Sequence, residues 1–155
     1  MLSYYITGVL SVLFALIYTA LPLPGASIFS LDIMVLLLTT WFFLSEQTPP
    51  TLLMAWCLGL LQDLLLGSIL GEHALALTVT MYMLLKLIRR LKFYALWQQV
   101  FCIGCLTLIN QLLIALFEAC QGNFASIYII LSPAIMNMAL WLIIGYAIFR
   151  HQYEL

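Results

Sequence analysis

The chain of 155 residues is 66% apolar and 14% aromatic, carries a charge on only 7% of its residues, and has a mean hydropathy of +1.16. A water-soluble domain holds about 25% charged residues because its surface must face water, so this composition excludes one and makes lipid the solvent. Five basic residues and a formal net charge of -1 offer no phosphate-binding surface, which excludes nucleic-acid partners, and the apolar runs leave no stretch over for a soluble catalytic domain.

With about 20 helical residues needed per crossing of a 30 Å hydrocarbon core, the chain reads as an all-α polytopic membrane protein, one integral-membrane domain of about six transmembrane helices. The first run, about 2–21, lacks the basic start of a signal peptide and is too long for one; it stops at Pro22-Leu23-Pro24-Gly25. The second, 30–45, opens on Ser30 as an N-cap with Asp32 in the first turn, where a carboxylate suits the helix dipole. Pro49-Pro50 separates it from the third, 51–66, which at roughly 24 Å barely spans the membrane. Residues 67–73 form a break before the fourth run, 74–88, which flows into Arg89-Arg90-Leu91-Lys92. The fifth, 96–119, closes at Gln121-Gly122-Asn123, and the sixth, 127–149, ends at Arg150-His151. The short second and third runs also fit one re-entrant hairpin. Lys86, Arg89, Arg90 and Lys92 in one loop and Arg150 two crossings later place both sites, and by parity both chain ends, in the cytoplasm.

Four polar features stand out. On a continuing helix Gly59, Asp63, Gly67 and Gly71 share one stripe, where small residues admit a second backbone and the carboxylate needs a protein partner; alternatively Gly67 and Gly71 are turn residues and Asp63 is partly hydrated. The fifth run carries Asn110, Gln111 and Glu118, with Gln111, Ala115 and Glu118 on one face, and the sixth steps through Pro133, Asn137, Trp141 and Gly145; these read as intramembrane polar contacts at helix interfaces. The segment Lys86 to Lys92, followed by Phe93-Tyr94-Ala95-Leu96-Trp97, reads as a cytoplasmic basic loop that orients the chain and attracts anionic lipid, or that docks a cytoplasmic partner.

Enzyme chemistry finds no constellation. Glu72-His73 lacks the second His one turn on that a zinc-protease helix requires, His151 falls on the other side of the membrane, and Ser68 has no base nearby in sequence. Cys57, Cys102, Cys105 and Cys120 all sit in apolar runs, where packing is their ordinary role. No catalytic residue, metal site or cofactor is expected.

The stretch from Gly59 to Leu77, with Gln62-Asp63, Gly67-Ser68 and Leu70-Gly71 followed by Ala74-Leu75-Ala76, resembles the signature of the bacterial rod shape-determining MreD family. Ala95-Leu96-Trp97-Gln98-Gln99 after the basic loop, and Asn137 with Trp141 in the last helix, are similar to proteobacterial members. The C-terminus departs from the pattern, carrying only Arg150 and His151 where related chains are more basic. The resemblance implies a non-enzymatic scaffold of the cell-wall elongation machinery in the cytoplasmic (inner) membrane. Its implied partners are MreC and, in a larger complex, MreB, RodA and the associated penicillin-binding transpeptidase, besides membrane lipid. It also implies a fold resembling the S components of energy-coupling-factor transporters. That likeness makes the alternative function a substrate-binding component of a vitamin transporter, with Asp63 and Glu72 near the outer face as pocket residues.

Overall fold

A peptide group in hydrocarbon has no water to bond with, so each apolar run satisfies its own N–H and C=O groups by coiling into a helix. The computed structural model describes residues 15, 17–18, 32–44, 52–91, 94–123 and 126–153, with side chains placed except at 42–44, 88–89 and 147–153. The described residues form helices α1 (Ile33–Leu44), α2 (Leu52–Leu66), α3 (Glu72–Leu91), α4 (Leu96–Cys120) and α5 (Ile127–Tyr153). The expected first helix lies outside the described residues apart from 15, 17 and 18, which are helical, and Ala15 is fully buried in the core. α4 and the segment Ile127–Tyr146 of α5 are long and apolar enough to cross a membrane, whereas α2, at 15 residues, is a shorter apolar helix.

Two helices run well beyond the sequence expectation. α3 begins at Glu72, not Ala74, and continues to Leu91 through Arg89 and Arg90; the charge density ends the apolar stretch but not the helix, since basic side chains can snorkel while the backbone stays bonded. α5 likewise runs past Phe149 to Tyr153.

From α2 onward consecutive helices are neighbours, α2 packing on α3, α3 on α4 and α4 on α5, while α1 sits against α3, α4 and α5. The apolar core joins Met34, Val35 and Leu38 of α1 to Leu77 and Met81 of α3, Ile103 and Leu106 of α4, and Trp141 of α5. The distribution is inverted relative to a soluble protein. Leu53, Leu64, Ile135 and Ile143 are exposed, while Asp32, Asp63, Thr107, Asn110 and Asn137 are buried. That inversion is what a lipid solvent selects, because tails solvate leucine and polar groups must find one another.

Turn chemistry ends the helices where glycine allows it. Gly67 takes φ +66° just past α2, and the Ser68 N–H donates to the Asp63 carbonyl (3.2 Å), the six-to-one bond of a Schellman ending. Gly122, at φ +85°, repeats it after α4, with the Asn123 N–H on the Glu118 carbonyl (3.0 Å).

Candidate functional site

Asp63 stands three residues before the end of α2 and is fully buried. Its carboxylate reaches across the turn to the start of α3. Oδ2 accepts the Gly71 N–H (2.8 Å), and Oδ1 accepts the His73 N–H (2.9 Å), the His73 Nδ1 proton (2.8 Å) and the Ser68 hydroxyl (3.1 Å). The first amides of a helix have no partner within it, and an N-cap side chain ordinarily supplies one. Gly71, at the cap position of α3, has no side chain, so Asp63 caps that helix from its neighbour. The clasp fixes the α2–α3 hairpin and orients the His73 ring.

The glycine stripe is therefore not continuous. The helix stops at Leu66, so Gly59 and Asp63 share a face of α2 while Gly67 and Gly71, at φ +66° and +107°, belong to the turn. Gly59 does meet a backbone, but it is this chain's own: a Cβ there would collide with Cα and N of Ala74 at the start of α3. A Cβ on Gly67 or Gly71 would meet nothing within 4 Å. The expected groove for a second chain across all four positions is replaced by an internal hairpin contact.

A second polar centre, which the sequence did not single out as a site, forms around Asp32 at the start of α1. Its Oδ2 accepts hydrogen bonds from Asn110 Nδ2 (2.6 Å) and Gln111 Nε2 (3.0 Å) of α4, and its backbone carbonyl accepts Asn137 Nδ2 (3.0 Å) of α5. Asn137 also donates to Thr107 Oγ1 (3.2 Å), and the Thr80 hydroxyl of α3 donates to Asn110 Oδ1 (3.3 Å). The Asp32 carboxylate thus ties α1 to α4, its backbone carbonyl adds α5, and Asn110 extends the network to α3. Thr80 lies eight residues into α3, and Asn110 and Asn137 lie ten residues from the nearer ends of α4 and α5, so the knot sits about 12–15 Å below those ends.

The remaining candidates divide. Asn110, Gln111 and Asn137 meet at Asp32; Glu118 is half-buried near Glu72, which is itself buried at the start of α3. Trp141 is fully buried in the apolar core beside Gly145, where a Cβ would lie 3.4 Å from its Nε1. Lys86 and Arg90 are exposed on the last two turns of α3; the Arg89 side chain and Lys92 lie outside the described residues. Among the described residues no group of three His, Cys, Asp or Glu side chains could hold a metal ion.

Comparison with known proteins supplies the context. No solved structure matches the chain. A 64-residue stretch is 42% identical to the rod shape-determining protein MreD of Haemophilus influenzae, covering 41% of this chain and 40% of that protein, so the match spans about two-fifths of the relative's length. The family described as rod shape-determining protein MreD matches over residues 1–150. With that match running through both the Asp63 clasp and the Asp32 knot, the chain belongs to the MreD family of rod shape-determining membrane proteins.

Proposed function

We propose that the chain is a non-enzymatic scaffold of the cell-wall elongation machinery in the cytoplasmic membrane, with the transmembrane helix of MreC as its direct partner and MreB, RodA and the associated penicillin-binding transpeptidase in a larger complex. The observation that supports a scaffold is how its buried polar groups are used. Asp32 and Asp63 are buried carboxylates engaged in helix–helix hydrogen bonds. The Ser68 hydroxyl, which the sequence left without a base, lies 3.4 Å from His73 Nδ1 but donates to Asp63 Oδ1, and among the described residues neither carboxylate belongs to a metal-binding set. Such bonds hold helices in one arrangement, which is what a docking partner requires.

The vitamin-capture alternative has no observation in its favour. Of the pocket residues that reading names, Asp63 has both oxygens taken by the Gly71 and His73 amides, His73 Nδ1 and the Ser68 hydroxyl. Co-purification tests the proposal. Tagged MreC extracted in mild detergent should retain this chain at a fixed ratio, and failure of the wild-type chain to co-purify at normal membrane abundance would refute direct binding.

A further inference from the structure

We propose that the exposed stripe at the basic end of α3 binds a single anionic phospholipid molecule. Lipid bathes any apolar helix face, so a site requires charge fixed at headgroup depth in line with a track for acyl chains. On α3, Val79, Tyr82, Met83, Lys86 and Arg90 fall within about 100° of the helix circumference by the 3.6-residue repeat. All five are exposed, with Tyr82 at 48% and Met83 at 41%. From Val79 to Arg90 is eleven residues, or about 16 Å, close to the depth of one leaflet's hydrocarbon in a core about 30 Å thick. A phosphate held by Lys86 and Arg90 therefore lays its chain along Met83, Tyr82 and Val79.

Lys86 is held in place, and among the described residues both charges are uncompensated. Lys86 Nζ stands 4.5 Å from the centroid of the Tyr82 ring, a cation–π contact that keeps the ammonium over the stripe. Among the described residues neither Lys86 nor Arg90 forms an ion pair with a carboxylate. The chain reversal beyond them is fixed by Gln99, whose Nε2 donates to the carbonyls of Leu91 and Tyr94 (3.1 Å each). Two unpaired cations above a leaflet-deep apolar track complement an anionic headgroup with its tails; a soluble anion would have no use for the track. This inference depends neither on the scaffold proposal nor on which side of the membrane the basic end faces.

The test uses the full chain purified in detergent supplemented with phosphatidylglycerol or with phosphatidylcholine, and counts retained lipid by native mass spectrometry. Each basic residue near an anionic lipid contributes about fivefold, so Lys86→Gln with Arg90→Gln should lower phosphatidylglycerol retention about 30-fold. Lys92→Gln with Arg150→Gln removes the same charge while leaving every stripe residue intact and should change retention less than about threefold, while Lys86→Arg should keep it. Three results would overturn the site: no preference for phosphatidylglycerol in the wild-type chain, equal loss in both double variants, or displacement of the lipid by inorganic phosphate. Monodisperse gel filtration of each variant separates lost lipid from lost fold.

Discussion

Asp32 and Asp63 are both carboxylates buried in an apolar bundle, yet substitution should distinguish them, because their donors differ. Asp32 receives two side-chain amides on Oδ2 and, on Oδ1, only the long Val35 N–H bond (3.4 Å), so Asp32→Asn can keep its carbonyl oxygen on the amides, lose the weaker bond and should cost about 1 kcal/mol. Asp32→Leu strands both amides in the bundle interior and should cost about 3 kcal/mol. Asp63 uses both oxygens on backbone amides, His73 Nδ1 and Ser68, so even Asp63→Asn forces an NH2 group against an N–H donor. It should lose about 2 kcal/mol, with Asp63→Leu worse. Denaturant titration of the purified variants measures this order. Equal losses for Asp32→Asn and Asp32→Leu would show that the charge at Asp32, not its geometry, holds the knot.

At the scale of helix pairs, glycine marks two kinds of contact. A Cβ at Gly59 would meet backbone, 2.6 Å from Ala74 N and 2.9 Å from the His73 carbonyl carbon, and backbone cannot step aside. Gly59→Ala should therefore push α2 from α3 and cost about 2 kcal/mol or more. A Cβ at Gly104 would meet only the end of the Met138 side chain, 2.5 Å from Sδ, which can change rotamer, so Gly104→Ala should cost less than about 1 kcal/mol. Thermal unfolding of the two variants side by side decides it; a larger shift for Gly104→Ala would contradict the distinction. Gly67→Leu should act through its left-handed backbone at about 1–2 kcal/mol, not by filling a groove. These pairs also mark what was legible in the sequence. The need of Asp63 for a protein partner followed from its apolar surroundings, and Asn110, Gln111 and Asn137 stood out for the same reason. Their meeting point did not: Asp32 lies 78 residues from Asn110, and a carboxylate in a first helical turn has a sufficient local explanation in the helix dipole. The continuity of the glycine stripe failed because spacing of four fits a helix and a turn equally until φ is known.

For the whole molecule, the orientation we expect across the membrane rests on the two antiparallel helices that close the chain. α4 and α5 pack against each other across the short link 121–126, so the segment before Leu96 and the end of α5 emerge on the same side. All five basic residues lie there: Lys86, Arg89, Arg90 and Lys92 in or just after the end of α3, and Arg150 in the last turns of α5. Basic residues within reach of a helix end are retained in the cytoplasm, and here two separate groups vote the same way with no basic residue at the opposite link, Gln121-Gly122-Asn123. Alkaline phosphatase, active only after export, should be inactive when fused after Lys92 and active when fused after Gly122. Replacing Lys86, Arg89, Arg90 and Lys92 together by Gln should leave Arg150 to orient the chain alone, giving mixed activity at both fusions. Strong activity after Lys92 in the unaltered chain would reverse the orientation and move the Asp63 clasp to the cytoplasmic face.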